Sequence, residues 1–174
     1  MLTLRAVGAV LVMGLLLASP GLGAEAIPRD FQLTAEYYPP VPHLGLETPT
    51  PREWSRWTLT VSARGRALQE TQRSARGSGK GVSTRSVHLT QREIAQLVAA
   101  VRAANFHVLA REYAFAVSPA PALVLRVVLD DRYHEVAVYG PDKVKDDPEV
   151  AAFLKVWNQA VRLVPPPNPG QGPE

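Results

Sequence analysis

The sequence predicts a two-layer α+β fold, with an antiparallel sheet of about four strands and two helices packed on one face. Three observations carry that expectation. Segments near residues 57–73 and 123–139 alternate apolar and polar residues around short turns, as half-buried hairpins do. Segments after Thr90 and Asp147 repeat apolar residues at helical spacing behind capping residues. The order is hairpin, helix, hairpin, helix, and two amphipathic helices need one surface to cover, which two half-buried hairpins supply.

The chain opens with Arg5, an apolar run from Ala6 to Ala18, and a break at Pro20-Gly21. Small residues at Ala24 and Ala26 then present a signal-peptidase site, with Leu22-Gly23-Ala24 as a second. This is the pattern of a secretory signal peptide over 1–26, cleaved after Ala26 or Ala24. A retained anchor would need about 20 apolar residues, more than this run offers before its proline, and no later segment is long or apolar enough to span. The 148 residues that follow suit one domain, large enough to bury a core without staples. The chain has no cysteine, which excludes a lipoprotein anchor, disulfides, a thiol nucleophile and thiolate metal ligands. The expected location is the periplasm or the medium of a bacterium.

Residues 27–53 hold Pro28, Pro39, Pro40, Pro42, Pro49 and Pro51, and read as a proline-rich extended arm. The domain is expected over 54–164. Trp57 to Ala63 alternates as a strand, Gly65 offers a turn, and Ala67 to Arg73 returns. A glycine-rich loop, Arg76 to Gly81, leads to a possible further strand, Ser83 to Leu89. Thr90 and Glu93 form a capping box ahead of Ile94, Leu97, Val98 and Val101, and Asn105 marks the stop. Leu123 to Leu129 and Tyr133 to Tyr139 make a hairpin around Asp130-Asp131, with Leu125 facing Val136, Leu123 facing Val138 and Arg126 facing Glu135. Asp147 and Pro148 then start a helix whose buried stripe is Val150, Phe153, Leu154, Trp157 and Val161. Residues 165–174, rich in proline and glycine, have nothing to bury and are expected to be disordered.

The stretches Trp57 to Ala63, Thr90 through Asn105-Phe106, and Leu123 to Tyr139 resemble a family of small exported bacterial proteins of unknown function with this hairpin-helix-hairpin-helix plan. The likeness spans about two-thirds of the chain and is one of hydrophobic pattern and turns. That family often enters its first strand through a Cys-x-Gly-x-Cys-Pro segment. Here Arg52-Glu53-Trp54-Ser55-Arg56-Trp57 stands in its place, so no role tied to those cysteines carries over. The resemblance implies a fold and no function.

Motifs for catalysis fail one by one. Gly77-Ser78-Gly79-Lys80-Gly81 lacks both the earlier glycine and the hydroxyl of a phosphate loop. His134-Glu135 has Val138 where a zinc protease places its second histidine, and His43, His88 and His107 are scattered. His134 shares a face with Val136 and Val138, which suits a satisfied structural histidine at the core edge. Gly81-Val82-Ser83-Thr84-Arg85 lacks the second glycine of a nucleophile elbow. Asp130-Asp131 and Asp146-Asp147 fit a turn and a helix cap better than an acid–base pair. No metal, nucleotide or other cofactor is expected, and no catalytic residue can be assigned.

Charge is the one feature above background. From Arg52 to Arg92 nine basic residues face only Glu53 and Glu70, a balance of +7, while the rest of the chain after residue 26 carries −4. The bland reading is a solvated arginine-rich surface. The functional reading is a basic hairpin, Arg64, Arg66, Arg73, Arg76 and Lys80, facing an anionic surface, glycan or protein. Nucleic acid is the least favoured partner, since an exported protein rarely meets it. The expectation is therefore an exported non-catalytic accessory or binding domain. The alternatives are a small hydrolase with a site assembled from scattered residues, or an inhibitor of a secreted enzyme presenting the Arg76 to Gly81 loop.

Overall fold

The computed structural model describes residues 26–40, 54–73, 81–114 and 120–167. The expected signal peptide (all but Ala26), most of the glycine-rich loop and all but the start of the tail lie outside these residues. Among the described residues, no helix is long and apolar enough to cross a membrane.

Among the described residues the sheet has seven strands and is mixed, which corrects the expected four-stranded antiparallel sheet. The strands are β1 (Gln32–Tyr38), β2 (Trp54–Ser62), β3 (Arg66–Arg73), β4 (Val82–His88), β5 (Glu112–Ala114), β6 (Ala122–Leu129) and β7 (Arg132–Tyr139). Their spatial order is β4-β3-β2-β1-β6-β7-β5. All neighbours are antiparallel except β5 and β7, whose parallel pairing makes the sheet mixed. Among the described residues three α-helices replace the expected two: α1 (Gln91–Ala103), the short α2 (Pro141–Val144) and α3 (Pro148–Leu163).

The largest correction is β1. Residues placed in a proline-rich arm form the middle of the sheet, pairing β2 on one side and β6 on the other. Prolines bracket this strand but none interrupts it, and Phe31, Leu33 and Ala35 alternate into the core at 1% exposure or less. β1 thereby joins two hairpin units into one sheet.

The β6–β7 register is the expected one: Leu125 opposite Val136, Leu123 opposite Val138, Arg126 opposite Glu135. Asp130 and Asp131 make its turn with φ of 53° and 57°. Two left-handed residues in a two-residue loop match the right-handed twist of the strands. At the β2–β3 turn, Gly65 has φ 85°, and a Cβ there would stand 2.4 Å from the Leu89 carbonyl oxygen. That oxygen's own amide donates to the Gly65 carbonyl at 2.8 Å, so this turn is stitched to the end of β4 and only glycine fits.

α1 carries the capping box: Glu93 N–H donates to the Thr90 hydroxyl while the Glu93 carboxylate accepts from the Thr90 amide. Its buried residues are Ile94, Leu97, Val98 and Val101, and the chain leaves it through Asn105 at φ 46°. α3 begins on Asp147, whose carboxylate accepts from the amides of Glu149 and Val150. Its buried stripe is Val150, Phe153, Val156, Trp157 and Ala160, so Leu154 and Val161 move to the half-buried flank. Both long helices share one core with the same face of the sheet. Trp57 of β2 meets Trp157 edge to face at 5.9 Å, and Trp157 stacks on Phe153. Pro165, where the disordered tail was expected to start, accepts a hydrogen bond from buried Gln69 at 2.7 Å.

Candidate functional site

Successive residues of a strand point to opposite faces, so the register sorts the sheet. Leu33, Ala35, Trp57, Leu59, Val61, Leu125 and Val136 face the helices. The opposite face carries Thr34, Glu36, Arg56, Thr58, Thr60, Arg126 and Glu135, and the two long helices leave it open.

On that open face Glu36 is 3% exposed, a buried carboxylate surrounded by donors. Arg56 reaches it at 2.5 Å, Arg126 at 2.6 Å and the Tyr38 hydroxyl at 2.5 Å. Arg126 also donates to Glu135 at 2.6 Å, which accepts from Tyr133. Burial pushes the Glu36 carboxyl up, but the bonds from Tyr38, Arg126 and Arg56 together outweigh it and hold the pKa below its ordinary value. Arg126 and Tyr133 hold Glu135 low as well. Burial and the bond to Glu36 push the Tyr38 hydroxyl up. Two carboxylates and two guanidiniums thus form one connected network, in which Arg56 Nε is buried without a partner among the described residues. A carboxylate held ionised between two cations has no proton to give, and three donors already take up most of its acceptor sites. Reading the sequence missed Glu36 because β1 was taken for an arm; the signal available was its alternation with Leu33 and Ala35.

Most of the other titratable candidates are engaged, although His107 Nε2 is buried without a hydrogen-bond partner among the described residues. Asp130 pairs with Arg102 at 3.2 Å, and the Asp131 amide donates to Asp30. Asp147 caps α3. Tyr113 accepts from the Ala110 amide and donates to Glu149; burial and that carboxylate push its hydroxyl up to about 12. The His134 Nε2 donates to the Leu109 carbonyl at 2.9 Å, at the core edge. His107 lies 6.2 Å from His134, ring to ring, and burial, helped by Arg132 and His134, lowers its pKa. Among the described residues, no three histidine or carboxylate side chains are grouped to hold a metal ion.

Of the five residues assigned to the basic face, Arg64, Arg66 and Arg73 fall within the described residues, at the two ends of β3. Arg64 lies in the β2–β3 turn and Arg66 at the start of β3, both exposed. Arg73 ends β3, about 23 Å from Arg66 at ordinary strand rise. Arg76 and Lys80 lie outside the described residues. The separation exceeds the roughly 8 Å screening length of physiological salt, so the two ends act independently there. Arg85 on β4 and Arg92 on α1 are exposed cations that the assignment left out. Arg56, by contrast, is committed to Glu36.

No family model matches the chain, and no curated protein matches it.

Proposed function

We propose that this chain is an exported, non-catalytic binding domain that engages an anionic partner through the β2–β3–β4 region. One observation carries the reading. Glu36, Glu135, Asp130 and Asp147 are tied into ion pairs and a helix cap and His134 donates to a backbone carbonyl, whereas Arg64, Arg66, Arg85 and Arg92 are exposed and form no ion pair among the described residues. Unopposed cations raise the local concentration of an anionic surface in a salt-dependent way.

The test is sedimentation with anionic vesicles and with a sulfated dextran, at low and at high salt. Each cation near a lipid surface contributes about 1 kcal/mol, so several should give measurable binding at low salt that high salt removes. Charge reversal is applied to the two ends separately, Arg64→Glu with Arg66→Glu at one and Arg73→Glu, Arg76→Glu and Lys80→Glu at the other. Each set should weaken binding, and the sets together should abolish it. If the fully reversed protein and the wild type sediment alike at both salts, the region is only a solvated surface.

A further inference from the structure

We propose that β4 is a docking edge that takes an extended, acidic polypeptide segment as an eighth strand. The inference rests on the anion-binding reading and names the partner class. β4 closes one end of the sheet, and among the described residues only β3 pairs with it. It is seven residues long, and five of them are exposed. On its outer side, alternate residues leave N–H and C=O groups without a ladder partner.

Edges of this length are normally blunted by charged side chains, lysine above all, by proline, by a bulge or by brevity, and the one such device in β4 is the charge of Arg85. The opposite edge, β5, uses brevity, with three residues. β4 has no proline, no lysine and an unbroken register with β3 from Arg66–His88 to Gln72–Val82. Ser83, Thr84 and Ser86 leave the backbone approachable, and Val82, 66% exposed, offers apolar contact.

Charge selects the occupant. In the full-length antiparallel register with a second copy, Arg85 would stand opposite Arg85, and directly opposed like charges destabilise a pair. An incoming acidic residue meets Arg85 instead, on the helix-side face that Arg85 shares with Gln69 and Ala67, with Arg92 of α1 just beyond the end of β4. Glu70 of β3 is the one acid in the β3–β4 ladder. Main-chain bonds would then supply affinity while the cations choose the sequence.

The probe is a fluorescein-labelled nine-residue peptide alternating threonine and glutamate, titrated into the purified protein by anisotropy. Two analogues carry backbone N-methyl groups on either set of alternate residues, and a third has lysine for glutamate. The acidic peptide should bind and slow amide exchange within residues 82–88. One N-methyl analogue should bind at least tenfold more weakly and the other about as well as the parent, because only one set of amides faces β4. The lysine peptide should not bind wild type but should bind Arg85→Glu. Equal binding of both N-methyl analogues, or protection outside 82–88, overturns the proposal. Concentration-dependent self-protection of 82–88 without peptide overturns it in favour of a second copy. If sulfated dextran binds but the peptide does not, strand addition falls and anion binding stands. If neither binds, both fall.

Discussion

Glu36 shows how one residue can hold an open sheet face together. Its carboxylate is the shared acceptor of Arg56, Arg126 and Tyr38, donors from three different strands or strand ends. Glu36→Gln keeps the shape but removes the charge, and its amide nitrogen would meet donors. We expect a loss of about 1–3 kcal/mol at neutral pH, the scale of a disrupted charged hydrogen bond. The pH dependence follows from the lowered pKa. The unfolded carboxyl titrates near 4.5 and the folded one below it, so the stabilisation is complete above 4.5 and is lost as pH falls through the folded value. The gap between wild type and Glu36→Gln in urea unfolding should therefore narrow between pH 7 and pH 3. A gap independent of pH would mean the ionised carboxylate is not what matters.

Hairpins and helices were the elements legible in the sequence, and each for a local reason. The β6–β7 register could be read because apolar pairs and the Arg126–Glu135 pair agree on one alignment. The caps of α1 and α3 could be read because Thr90, Glu93 and Asp147 meet orphan amides within four residues. β5 could not be read, since three residues show no period, and its parallel pairing depends on contacts far along the chain. Glu36 was invisible for a related reason: two of its three donors come from positions 20 and 90 residues away. The Asp130-Asp131 turn offers the test at this scale. Both residues hold positive φ, which aspartate tolerates and glycine accepts freely. Asp131→Gly should be neutral or stabilise by up to about 1 kcal/mol, whereas Asp131→Val should cost about 1–2 kcal/mol through strain at a β-branched residue. The Asp131 amide keeps its bond to Asp30 in both, so thermal unfolding reports the turn alone. Equal stability of the two variants would refute the backbone account.

At the scale of the molecule, the question is where the domain begins. The pattern of hydrophobicity starts it at Trp54, but the sheet is built around a strand that ends sixteen residues earlier, at Tyr38. β1 runs between the two halves, with Gln32 opposite both Ser62 and Val128 and Tyr37 opposite both Trp57 and Leu123. Without it, β2 and β6 become bare edges, and the core loses Phe31, Leu33 and Ala35. Two large apolar side chains are worth about 1.5–3 kcal/mol each, before the ladder bonds on both sides are counted. Domain stabilities are about 5–15 kcal/mol, so the loss is comparable to the whole. A chain cut to residues 54–164 should therefore fail to unfold cooperatively and should show collapsed amide dispersion. One extending from 27 to 167 should unfold in a single transition. Adding a synthetic peptide of residues 27–40 to the shorter chain should restore structure, since the gap between β2 and β6 is templated on both sides. A cooperative, native-like 54–164 chain would show that β1 is an accessory to the sheet and that its two halves close without it.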